Sequence, residues 1–200
     1  MASRKAVAPA DFESTLERDF LILLEFSPLV CAFDVQPVTV TWHEGGRDRR
    51  YTPDVLVHYE PGGGNGGRPE LYEVKYRQDL WKDWKVIRPK LRAGVHFAKA
   101  QGWRFRLATE VEIRTPYLEN AKFLLAFARR ECPPEPCAQL LLSLRELRET
   151  SPDGLLLATC RDETNRAQLM PVLWHLLGTF RIGADLHLPL TMNSRIWSKE

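Results

Sequence analysis

The sequence predicts an α/β protein, a mixed sheet flanked by helices and followed by a smaller, mainly helical domain. Three observations carry that expectation. Helical and extended patterns alternate in the order helix, strands, helix, strand, helix over the first two thirds of the chain. Near Asp79 the apolar period changes from two to about 3.6. A proline-rich segment, Cys132-Pro-Pro-Glu-Pro-Cys137, then separates this part from three further helical patterns, which sets the expected boundary between domains 1–132 and 133–200.

Element by element, the first helix is expected over Asp11–Phe26, because Leu16, Phe20 and Leu23 recur on one face. Asp11 or Ser14 serves as its N-cap, and Ser14-Thr-Leu-Glu17 matches a capping box. Alternating β-branched runs over Val35–Trp42 and Tyr51–Tyr59 read as strands. The glycine-rich segment between Glu60 and Pro69 joins the second of them to a third, Glu70–Tyr76, as an antiparallel hairpin. Beyond Asp79, Trp84, Ile87, Leu91, Val95 and Ala98 fall on one helical face, with a break at Pro89 and an end at Gly102. Trp81, Trp84 and Trp103 are read as core aromatics. Trp103–Thr109 is a further strand, and a helix over Tyr117–Glu131 closes the first domain.

In the second domain, Gln139–Glu149, Ser151–Cys160 and Glu163–Leu177 are helices. Two short extended pieces follow, Phe180–Ile182 and Leu186–Leu190. Three helices and a hairpin in about sixty residues suggest a winged helix-turn-helix.

Composition removes several classes. The chain has 200 residues, 44% apolar and 27% charged, which excludes a collagenous or wholly disordered protein. No apolar run approaches the roughly 18–20 residues of a membrane span, so no membrane partner is expected. The basic start is followed by Asp11, Glu13 and Glu17, unlike a secretory leader. The four cysteines form no C-x-x-C pair, which favours reduced thiols and a cytoplasmic location. Net charge is only +2, but Lys75–Arg106 holds ten basic residues against two acids. Such segregation marks a surface that meets a polyanion. Arg77, Lys82, Lys85, Arg88, Lys90 and Arg92 are the expected DNA-binding residues.

Beside this run stand Pro53-Asp54 and Glu73-Val74-Lys75, a P-D-(x)n-[E/Q]-x-K pattern. Alternation along a strand points Glu73 and Lys75 the same way, and an antiparallel hairpin can set Asp54 across from them. Two converging carboxylates are hard oxygen donors suited to Mg²⁺, with Mn²⁺ as a substitute. Lys75 would hold the attacking water or offset charge growing on a phosphodiester. A third carboxylate is expected from the first helix, with Glu13, Glu17 and Glu25 as candidates and Glu17 at the border of core and solvent.

A more specific pattern lies in Ser14-x-x-Glu17-Arg-Asp-Phe-Leu, Gln36-Pro37, Tyr51-Thr-Pro53-Asp54-Val-Leu, Glu73-Val74-Lys75, Gly102-Trp-x-Phe105 and Thr109-Glu110-x-x-Ile113-Arg. From Asp11 to Arg130 these residues resemble TnsA, the endonuclease subunit of heteromeric cut-and-paste transposons. The resemblance implies a restriction-endonuclease-like core in which Glu17, Asp54, Glu73 and the backbone carbonyl of Val74 bind a divalent metal while Lys75 assists hydrolysis. It implies double-stranded transposon ends as substrate, cut at their 5′ ends, and a nucleoid-associated working state in a bacterial cytoplasm. A DDE-type transposase and an AAA+ ATPase regulator are the implied partners. Two rival expectations are a freestanding restriction-like or repair nuclease and a non-catalytic DNA-binding assembly subunit. Residues 133–200 carry seven basic residues against eight acids, which favours partner docking by the winged-helix-like domain over DNA reading.

Overall fold

The computed structural model describes residues 3–7, 12–62 and 66–199. Asp11, one of the two expected N-caps, and residues 63–65 of the glycine-rich segment lie outside them. The chain divides into two compact units, Met1–Ile113 and Arg114–Glu200.

In the first unit, α1 (Thr15–Phe26) begins at Ser14, whose hydroxyl accepts from the Glu17 N–H at 3.1 Å. The Glu17 carboxylate returns the contact, accepting from the Ser14 hydroxyl at 2.9 Å and from the Glu13 N–H at 2.9 Å. Leu16, Phe20, Leu21 and Leu24 form its buried face. Then come β1 (Val30–Val35), β2 (Val40–Glu44), β3 (Arg47–Tyr51), β4 (Val55–Tyr59) and β5 (Glu70–Val74). The helices α2 (Arg77–Lys82) and α3 (Trp84–Ala100) lead to β6 (Arg104–Ala108) and the short α4 (Glu110–Ile113). The central sheet has the order β1-β4-β5-β6; its first two pairings are antiparallel, and the last, reached through α2 and α3, is parallel. This is a mixed sheet flanked by helices, as expected.

Three local expectations are corrected. The strand foreseen over Val35–Trp42 is two strands, because Gln36 adopts a left-handed backbone (φ 50°) ahead of Pro37 and turns the chain out of β1. The second correction is β3, a strand made of Arg47-Asp-Arg-Arg-Tyr. It pairs with β2 through Gly45 and Gly46, both at positive φ, the turn geometry that suits a tight hairpin. Its charged sequence has no alternation to reveal it. The third concerns α3, whose buried residues are Ile87, Leu91, Gly94 and Ala98. Trp84 and Val95 are each 47% exposed and Trp81 is 83% exposed, so neither of these tryptophans is a core residue. Trp103 does pack inward, against the cluster of Leu56, Leu71 and Ala98.

The second unit contains α5 (Pro116–Ala128), α6 (Pro134–Leu147), β7 (Glu149–Thr150), α7 (Pro152–Thr159), α8 (Glu163–Gly178), β8 (Ile182–Ala184) and β9 (Ile196–Ser198). The expected boundary at 132/133 falls inside it. Helix α5 packs on α8, where Gly178 lets the two backbones approach; a Cβ there would stand 2.9 Å from the Leu124 carbonyl. The prolines of the foreseen linker instead open α6, where a missing N–H is tolerated in the first turn. The three short strands pair in the order β7-β9-β8. Leu186–Leu190 is not the foreseen strand. The buried Asn120 amide donates to the carbonyls of Leu186 and Leu188 at 2.8 Å and accepts from the Leu190 N–H at 3.1 Å, using backbone groups a ladder would need. Among the described residues no helix is long and apolar enough to cross a membrane, and the cysteines are unbridged.

Candidate active site

Asp54 stands one residue ahead of β4 and is held from three sides. Its N–H donates to the Tyr72 carbonyl at 3.0 Å, its carbonyl accepts from the Gln36 N–H at 2.8 Å, and its Oδ2 accepts from the Val74 N–H at 2.6 Å. The β4–β5 register pairs Val55 with Tyr72, so Asp54 falls opposite Glu73. Both carboxylates therefore lie on the side of the sheet where Leu56 and Leu71 meet Ala98 of α3. The opposite side carries Tyr72 against Phe20 of α1, with ring centroids 4.9 Å apart.

This position is electrostatically poor for an anion. Burial, reinforced by the Glu73 charge, pushes the Asp54 carboxyl up to about 7, with a smaller push from Glu17; the Val74 N–H and the Lys90 ammonium act the other way. Tyr51 feels the same field: burial first, then Glu73 and Asp54, raise its phenol well above the ordinary value. Glu73 is 3% exposed and forms an ion pair with Lys90 of α3, Nζ to Oε1 2.6 Å. That pair replaces the expected outward role of Lys90 on a DNA-facing surface.

The structure thus brings Asp54 and Glu73 together. Lys75 follows Glu73 on the same face by alternation; its N–H extends the ladder to the Ala108 carbonyl, and its ammonium has no ion-pair partner among the described residues. Val74 contributes its N–H to Asp54. Glu17, engaged in the cap of α1, acts on Asp54 through its charge, while Glu13 accepts from the Gln36 side chain at 3.0 Å and Glu25 accepts from Ser3 and from the Arg4 N–H. Among the described residues no three His, Cys, Asp or Glu side chains form a ready metal cage. One buried and one half-buried carboxylate, facing each other, nevertheless suit a hard divalent ion that keeps most of its waters.

The basic run is partly consumed internally. Arg77 pairs with Glu112 at 3.2 Å and donates to Thr109, while Arg104 and Arg106 face Glu70 at 3.9 and 3.4 Å. Lys82, Lys85, Arg88 and Arg92 are exposed. Lys85, Arg88 and Arg92 share a groove with Glu44 at the end of β2, and the exposed Arg47, Arg49 and Arg50 of the β2–β3 hairpin add basic charge. Sequence reasoning passed over those three arginines and Tyr51. The signal for the arginines was the Arg47-Asp-Arg-Arg run itself.

Gly94 controls how closely α3 approaches this region. A Cβ on it would stand 2.0 Å from the Tyr51 hydroxyl and 2.6 Å from the Phe105 ring. Gly94→Ala is expected to destabilise the protein by about 1–3 kcal/mol through overpacking. An unchanged urea midpoint would show that the helix moves freely at this point.

The α/β unit with its mixed sheet thus carries two apposed carboxylates at the ends of neighbouring strands and a lysine two residues on. Residues 27–110 match the family model described as TnsA-like endonuclease N terminal, a match that supports a TnsA-like endonuclease. The match takes in Asp54, Glu73, Lys75 and Lys90 and stops short of Glu17. The sequence matches no curated protein.

Proposed function

We propose that this protein is the metal-dependent DNA endonuclease subunit of a heteromeric transposase and hydrolyses phosphodiesters at the 5′ ends of the element during cut-and-paste transposition. The observation that carries this reading is the apposition of Asp54 and Glu73 on adjacent strands, inside the TnsA-like segment and beside Lys75. Asp54 and Glu73, with Glu17 and the Val74 carbonyl, would hold Mg²⁺ or Mn²⁺. When bound, such an ion supplies Lewis-acid polarisation of the phosphodiester and favours hydroxide at neutral pH. Asp54 is fixed by the Tyr72, Gln36 and Val74 backbones, so its carboxylate need not reorganise during reaction. The Lys75 ammonium offsets charge growing on the scissile phosphate. Exposed Lys82, Lys85, Arg88 and Arg92 hold the flanking duplex by its phosphates.

A restriction-endonuclease-like core is supported by the β1-β4-β5-β6 order with its single parallel pair. A winged-helix-like second unit is supported by the succession α6, β7, α7, α8, β8, β9 with β9 central. The balance of residues 133–200, seven basic residues against eight acids, favours docking to protein, in this reading the DDE-type transposase or the AAA+ regulator, in a bacterial cytoplasm on the nucleoid.

Incubating the purified protein with Mg²⁺ or Mn²⁺ and plasmid bearing element ends, alone and with a DDE-type transposase partner, tests the assignment. Cleavage confined to the 5′ strand at element ends, and only with the partner, is the expected result. Cutting of plasmid by the protein alone would support a freestanding nuclease instead.

A further inference from the structure

Lys82, Lys85, Arg88 and Arg92 of α2 and α3 are exposed to solvent, but Lys90 is not. It extends from the edge of the buried stripe Ile87, Leu91, Gly94 and Ala98, and its side chain is 24% exposed. Its ammonium stands 2.6 Å from Glu73 Oε1 and 5.3 Å from the centroid of the Tyr51 ring. Gly94, one turn further along α3, admits the Tyr51 hydroxyl against the helix, and that hydroxyl is buried with no hydrogen-bond partner among the described residues. Ordering a lysine side chain and desolvating its charge are both unfavourable. The fold nevertheless directs this one at the more buried of the two carboxylates.

We infer that Lys90 is a positioning residue, the internal counter-ion of the site, which holds Glu73 in the metal-free protein and competes with a divalent cation for its carboxylate. This rests on the metal-binding reading above. The buried Glu73 and half-buried Asp54 carboxylates on neighbouring strands repel each other, and one positive charge fixed between helix and sheet relieves that repulsion. The same charge opposes a second cation arriving a few ångströms away. Lys90 therefore sets the affinity for the ion, whereas Lys75, with no ion-pair partner among the described residues, is left for the phosphate. Lys85, Arg88 and Arg92, which face outward from the same helix, do not contribute to this balance.

The test uses the full chain titrated with Mn²⁺ by calorimetry, together with thermal unfolding with and without the ion. Lys90→Met is expected to bind Mn²⁺ about tenfold more tightly than the wild type, the influence of one close like charge. Its melting temperature without metal should fall, and the upward shift on adding Mn²⁺ should exceed that of the wild type. Lys90→Arg, which keeps the charge, should bind Mn²⁺ with near wild-type affinity, and Asp54→Asn should lose binding. If Lys90→Met proves unfolded, Lys90→Gln supplies the same comparison with a polar tip left against Glu73. Unchanged or weakened Mn²⁺ affinity on removing the charge, with Asp54→Asn still abolishing binding, overturns the role of Lys90 and leaves the metal reading intact. No Mn²⁺ binding by either the wild type or the lysine variants overturns both.

Discussion

Asp54→Asn is expected to lower 5′-strand cleavage in the reconstituted reaction by at least about 10²–10³-fold, the range seen when one preorganised charge-stabilising group is removed. The same substitution should make the metal-free protein more stable at pH 8. Asparagine keeps a carbonyl oxygen for the Val74 N–H, now 2.6 Å from Asp54 Oδ2, while it removes a buried charge facing Glu73. Loss of activity with gain of stability is the mark of a group retained for chemistry at the expense of the fold. Lys75→Ala should be equally inactive with little change in stability, because its ammonium forms no ion pair among the described residues. Strand-specific cleavage assays and urea denaturation of the three proteins decide the matter. Normal cleavage with either residue replaced would remove the catalytic assignment.

The second large effect is a proton linkage. In the folded, metal-free protein the Asp54 carboxyl titrates at about 7, raised from an ordinary value of 3.8 by burial and the neighbouring Glu73 charge. The folded state therefore binds the proton more tightly than the unfolded state does. Stability is greatest below the unfolded value, declines as pH rises from about 4 to about 7, and levels off above that. The loss amounts to at most about 4 kcal/mol for a shift of this size. A divalent cation pairs with the ionised form, so saturating Mg²⁺ should recover most of the loss at pH 8 and little at pH 5. Urea midpoints at pH 5, 6, 7 and 8, compared between wild type and Asp54→Asn, isolate this group from the other carboxylates and histidines. Parallel pH profiles for the two proteins would show that Asp54 is not the buried acid described above.

Much of this arrangement was legible in the sequence, and the exceptions share a cause. The extended patterns over Tyr51–Tyr59 and Glu70–Tyr76 located β4 and β5, and the glycine-rich joint between them implied their antiparallel pairing. Asp54 and Glu73 could then be placed face to face. The Ser14–Glu17 cap was equally readable, because every group in it lies within one turn. Strand β3 was not readable, since its arginines pair with β2 through the backbone and their side chains remain in solvent. The Leu186–Leu190 segment looked extended, but Asn120, distant in sequence, takes up its backbone groups. Lys90 counted as one more surface cation because no local pattern separates it from Lys85 or Arg88.

By itself the sequence determined the mixed α/β architecture, the apposed acidic pair and Lys75 two residues on, all set by local periodicity, turn chemistry and spacing, while the motifs between Asp11 and Arg130 carried the resemblance to TnsA. Tertiary structure alone decided that the units divide at 113/114, that four of the ten clustered cations are turned to internal carboxylates, and that Lys90 and Tyr51 close over the acidic pair. Periodicity specifies which way a side chain leaves its own helix or strand, but the charge it finally meets depends on which other element packs there. In this protein a glycine at position 94 lets α3 settle close enough for that meeting.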